Sequence, residues 1–134
     1  YIKEEDLHKI RTRVQRIYSL HQKIVMAEPT LQEIFGANAT QDATTVTIVK
    51  ADLPGLTASA NNRGESLLTG IILKAQAGLP KTSFDTNLNQ NVYVELGYPG
   101  FTFRGTDNDP YRVDQFTVNL AKLDTQSTID PDDY

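Results

Sequence analysis

Residues 7–25 read LHKIRTRVQRIYSLHQKIV, and the spacing of their apolar positions decides how the rest of the chain is read. Leu7, Ile10, Val14, Ile17, His21 and Ile24 recur at alternating steps of three and four. This is a heptad pattern with Leu7, Val14 and His21 at a and Ile10, Ile17 and Ile24 at d. The period predicts a helix over residues 3–27 whose stripe must lie against its own domain or against another copy. Glu4, Glu5 and Asp6 fall in the first turn, where carboxylates favour the positive end of the helix dipole. Pro29 closes the run, because the residue before a proline is biased away from helix. The six seam residues are therefore candidate interface residues, and the feature points to docking or assembly rather than to chemistry.

Outward from this helix, Thr30 and Glu33 have the spacing of a capping box. Leu31, Ile34 and Phe35 give the second, short helix its apolar face, and Gly36 ends it. Residues 44–50 are almost all β-branched and predict a strand. Residues 53–55 and 61–64 are turn-forming. Residues 65–77 fit two patterns. Leu68, Ile71, Ile72 and Ala75 share a helical face, while Leu67, Thr69, Ile71, Leu73 and Ala75 alternate as in a strand. Gly70 weakens both, and strand is the preferred reading. Residues 80–90 read as a polar loop. Residues 91–96, 101–104 and 111–120 read as strands, joined by a tight connection at 97–100 and a loop at 105–110.

Helices first and strands after predict an α+β fold. The N-terminal amphipathic helix and the short second helix are expected to pack on, or project from, a mostly antiparallel sheet of four or five strands. Residues 1–123 form a single domain in this reading. Residues 124–134 form an acidic tail with Asp124, Asp130, Asp132 and Asp133 and no basic residue, expected to be disordered or held by a partner.

A chain of 134 residues suits one domain, and a 39% hydrophobic share with 22% charged residues is that of a globular protein. The densest apolar run, residues 67–73, is broken by Thr69 and Gly70 and falls far short of the ~20 residues of a membrane span. No secretory leader is read at the start. Tyr1 opens the chain and Met26 is the only methionine, which reads as a trimmed or processed start. With no cysteine, disulfides, thiolate catalysis and cysteine-based metal sites are excluded. Fifteen Thr, eight Asn and eight Gln lean toward a β-containing body and toward exported or particle-forming proteins. Charge is divided along the chain. Residues 3–23 hold six basic and three acidic residues, a net +3, while the rest holds seven basic and fourteen acidic, a net −7. A basic helix on an acidic body favours self-association over nucleic-acid binding.

The candidates for chemistry are sparse. His8 and His21 stand thirteen apart on the first helix, too far for a helical zinc pair, and leave no histidine base in the β body. Asp107, Asn108 and Asp109 begin like a calcium loop, but Pro110 follows and the closing Gly and Glu are missing. No metal and no cofactor is expected. Asp52, Glu65, Asp85, Glu95 and Asp114 are scattered carboxylates, the raw material of a carboxylate- or metal-dependent hydrolase only if two converge. Residues 62–66 lack the spaced glycines and the Lys-Ser/Thr pair of a nucleotide loop. Residues 38–40 match a glycosylation sequon. Lys9, Arg13, Arg16 and Lys23 share a helix side, but a pI near 5.1 argues against nucleic acid. Tyr93, Tyr98, Phe101, Phe103 and Tyr111 read mainly as core and edge packing, with a sugar- or peptide-stacking groove as the alternative.

The sequence reading is thus a non-enzymatic structural or adaptor subunit of a larger assembly, such as a virion, tail-like or surface particle. Its partners are protein, as a homo-oligomer or as neighbouring subunits. The loops at 51–65 and 80–90 are expected to reach over those neighbours. A virion or extracellular particle is the favoured location. The alternatives are a monomeric ligand-binding module built on the aromatic half and a carboxylate- or metal-dependent hydrolase.

Overall fold

The computed structural model describes residues 1–25, 27–125 and 127–134, and in the first helix it describes side chains as far as Ile17. Among the described residues there are four α-helices and six strands: α1 (Glu4–Val25), α2 (Leu31–Phe35), β1 (Thr40–Gln41), β2 (Val46–Thr47), α3 (Gly64–Gly78), α4 (Lys81–Thr86), β3 (Val92–Leu96), β4 (Gly100–Arg104), β5 (Asp109–Val113) and β6 (Phe116–Leu120). Single 3-10 turns lie at Lys50–Asp52 and Pro131–Asp133. The class is α+β.

The strands do not form one sheet of four or five. They pair antiparallel in three two-stranded ladders, β1 with β2, β3 with β6, and β4 with β5. The last two are nested. Leu96 pairs with Phe116 and Gly100 with Val113, so residues 97–99 face only residues 114 and 115. One long ribbon therefore runs from 92 to 120 with an extra residue at its middle, as in a β-bulge. The predicted strand at 111–120 breaks there. Gln115 holds the break, its carbonyl accepting from the Gly97 N–H at 2.6 Å and its side-chain oxygen from the Tyr98 N–H at 3.2 Å.

Residues 64–78 are helix, against the strand reading. Gly70 was the obstacle to either reading, and packing explains it. Gly70 is buried, and a Cβ there would stand 3.1 Å from the Leu53 Cβ. The glycine is a contact point for the loop packed on α3, so its low helix propensity is outweighed by tertiary packing. The predicted strand at 44–50 shrinks to Val46–Thr47. The Asp42 carboxylate accepts from the backbone N–H of Thr44 and Thr45, both at 2.8 Å, and takes those residues into a turn. Residues 81–86 form α4 inside the predicted loop; Lys81 and Asp85 pair across one turn at 3.0 Å.

The Thr30 cap is present, with Thr30 Oγ1 accepting from the Glu33 N–H at 3.1 Å. α2 packs on α3, and α3 and α4 pack on β3. The core is small: among the described residues, Ala39, Leu53, Leu79 and Val94 are its buried apolar side chains. Polar clamps hold its rim. Gln90, itself buried, donates from Nε2 to the carbonyls of Pro80 and Val92 at 3.1 and 2.9 Å. Asp52 accepts from the Asn38 N–H at 2.9 Å and from its side-chain amide. Residues 124–134 fold back on the body: Lys122 Nζ pairs with Asp133 at 3.0 Å, donates to the Thr128 carbonyl and lies over the Tyr134 ring.

The contact of α2 with α3 is close enough to test. A Cβ at Gly78 would lie 2.0 Å from the Glu33 carbonyl oxygen, whereas one at Gly64 meets nothing. Gly78→Ala is expected to cost about 2 kcal/mol or more and lower the thermal midpoint measured by circular dichroism, with Gly64→Ala leaving it unchanged or slightly raised. Equal midpoints for the two would contradict the packing described.

Candidate interaction surface

Two elements extend beyond the small core, and both carry exposed apolar side chains. The first is α1. Of the seam residues, Leu7 is half-buried, while Ile10, Val14 and Ile17 are 51%, 59% and 66% exposed. The side chains of His21 and Ile24 lie outside the described residues. A helix of 22 residues is about 33 Å long, and its described stripe is not covered by the body of the same chain. Lys9 pairs with Glu5 at 3.1 Å on the outer side, one turn apart.

The second element is the outer half of the ribbon. Directly paired residues share a face, so Phe101, Phe103, Pro110 and Arg112 lie on one side. Thr102, Arg104, Asp109, Tyr111 and Val113 lie on the other. Phe101 and Phe103 are 75% and 62% exposed. On the opposite face, the Arg104 guanidinium sits 4.8 Å from the Tyr111 ring centre and partly covers it. The expectation of core and edge packing holds for Tyr93, whose ring lies tilted against Phe84 at 4.7 Å, but not for Tyr98, Phe101 or Phe103, which are largely exposed. The five aromatic candidates are dispersed over three places: Tyr93 in the body, Tyr98 at the break, the others on the two faces of the outer ribbon. The signal that marks the outer ribbon is its length. Strands of five residues bounded by 97–99 and 105–108 cannot bury both faces of a two-stranded ladder.

The accessible surface of the chain is 10820 Å². A compact chain of 14.9 kDa exposes about 7,000 Å². The surplus of about 3,800 Å² far exceeds the ~800 Å² that one partner contributes to a standard interface.

The other candidates stay apart. Asp107 and Asn108 form the turn between β4 and β5, with the Asn108 N–H donating to the Gly105 carbonyl at 3.2 Å. Among the described residues no three His, Asp or Glu side chains gather as a metal site. Asp52 is held by Asn38, Glu65 by Arg63, Asp85 by Lys81 and Asp114 by Arg112. An open cleft of about 550 Å³ lies between residues 54–57 and the start of α3. Its Arg63 is engaged with Glu65 at 3.4 Å. Among the described residues, no buried side-chain polar atom lacks a hydrogen-bond partner. No helix is long and apolar enough to cross a membrane among them.

Comparison with protein-family models, curated proteins and solved structures finds no match for this chain.

One carboxylate departs clearly from its ordinary range. The Thr44 and Thr45 N–H groups and hydroxyls all donate to Asp42 and lower its pKa to about 2. A depressed pKa means that the turn is stabilised by the ionised form. That contribution is complete above pH 3.8 and is lost as pH falls toward 2. Protection of the Thr44 and Thr45 amides relative to their intrinsic exchange rates, read by NMR, is expected to persist at pH 4 and to fall only near pH 2. In Asp42→Ala that protection should be lost at both.

Proposed function

We propose that this protein is a non-enzymatic structural or adaptor subunit of a larger protein assembly, a virion, tail-like or surface particle, and that α1 makes contacts between subunits. The observation that carries the reading is the surplus of accessible surface over what a compact chain of this mass leaves exposed. Among the exposed apolar residues are those of a helix with an apolar stripe and of a ribbon with two bare phenylalanines on one face. Burial of such area between subunits yields roughly 25 cal/mol per Å² before the costs of association. A helix in a protein is stabilised mostly by packing of its apolar face, and a two-stranded ribbon is marginal alone in water, so both gain order from docking. The opposed charges of α1 and the remainder of the chain support contacts between copies.

Light scattering over a range of protein concentrations tests this. The expected result is a defined multiple of 14.9 kDa. At about 2 kcal/mol for each isoleucine buried, the double variant Ile10→Asp, Ile17→Asp is expected to return to the monomer mass. Its thermal midpoint should match that of the unassembled wild type, because both side chains are exposed in the single chain. A wild type that stays monomeric at every concentration would overturn the reading.

A further inference from the structure

We propose that α1 associates with α1 of further copies of this chain as a parallel, in-register bundle; the inference rests on the assembly reading above. The occupant of the exposed stripe is identified by the charges beside it. With Leu7 at a, the flanking g positions are held by Asp6, Arg13 and Leu20, and the flanking e positions by Glu4, Arg11, Tyr18 and Val25. In parallel helices a g residue faces the e residue five places later in the neighbour. Asp6 then meets Arg11 of the partner subunit. Arg13 falls opposite the position that the sequence gives to Tyr18, and Leu20 opposite that of Val25. No like charges meet along the seam.

An antiparallel arrangement loses this match. The flank carboxylates, Glu4 and Asp6, both sit in the first turn, so full overlap carries them to the far end of the neighbouring helix. Arg11 and Arg13 are then left without a carboxylate. Within the chain, Glu5 is already taken by Lys9 on the outer side of the helix. Asp6 and Arg11 enter no ion pair among the described residues, so both are available to a neighbour. The apolar positions agree. Ile10 and Ile17, both at d, are among the exposed large side chains of α1. Isoleucine at every d position favours bundles of more than two strands. A parallel bundle closes by rotation about its own axis, so every copy makes the same contacts and no stripe is left bare.

The chain has no cysteine, so single introduced thiols report cleanly. Leu7→Cys and Val14→Cys are each oxidised mildly at the assembled concentration and run on non-reducing gels. In a parallel, in-register bundle equal a positions lie within disulfide range of each other, and both variants are expected to cross-link with similar yield. In an antiparallel pair Leu7 would lie about 25 Å from its counterpart. An assembly of wild-type mass in which Leu7→Cys stays uncross-linked would overturn the parallel arrangement and leave the assembly reading standing. A protein that never assembles would overturn both. The charge match supplies an independent readout. Asp6→Arg is expected to weaken association roughly fivefold at low salt, and adding Arg11→Asp should restore it. A double variant as weak as Asp6→Arg would refute the g-to-e pairing. Circular dichroism of each variant shows whether the helix is retained.

Discussion

The close approach of α2 to α3 is the constraint on which this structure depends. At Gly78 the helix passes so near the Glu33 carbonyl that no side chain fits, and at Gly70 it takes the Leu53 side chain against its backbone. These contacts close a core that, among the described residues, has four buried apolar side chains. A core this small leaves no apolar area to hold the rim, so polar clamps do so. Gln90 ties the start of α4 to β3, and Asp52 ties the exit of α2 to the 3-10 turn. The Val94 N–H reaches the Leu79 carbonyl at 2.9 Å and anchors the inner end of the ribbon to the helices.

What lies outside that core follows from its size. Apolar side chains of α1 and of the outer ribbon, such as Ile10, Ile17, Phe101 and Phe103, lie outside it and are exposed. Segments with few buried contacts open at low free-energy cost. The exposed stripe and the exposed phenylalanines therefore belong to the two elements that lie outside the small core. Under the assembly proposed above, docking between subunits would cover these side chains.

The parts of this fold that were legible in the sequence are those set by local rules. The 3.6-residue period of residues 7–17, the acidic first turn of α1 and the Thr30 cap each act within one or two turns and appear where the residues put them. The α+β class follows from their order. Residues 64–78 were not legible because Gly70 looks like a defect until Leu53 is placed on it. Residues 44 and 45 have strand-forming side chains, yet a carboxylate two and three residues upstream competes for their N–H groups and wins. The division into three ladders was hidden because the number of strands in a sheet depends on what covers each edge, which no single strand encodes. At the candidate site, the helix that carries the seam residues was readable from spacing alone. Its exposure, and that of Phe101 and Phe103, was not, because exposure depends on how much core the other elements build.

The division of charge gains a structural meaning from these facts. Among the described residues, four of the body's fourteen carboxylates are held in local pairs: Glu65 with Arg63, Asp85 with Lys81, Asp114 with Arg112 and Asp133 with Lys122. These pairs are solvent-exposed to different degrees and add little stability, but they lower the field that one body presents to another. A parallel bundle suspends every body from the same end of α1, through a connector fixed at Ala27 by the Asn87 side-chain amide at 2.8 Å. Crowding like-charged bodies in this way would oppose assembly if their charges were bare. Screening over a Debye length of about 10 Å at 0.1 M salt and local pairing together reduce that opposition. In the proposed bundle the Asp6–Arg11 contact would act at closer range and be screened less, so salt would change two terms of opposite sign: it screens the bodies from one another and weakens the contact beside the seam.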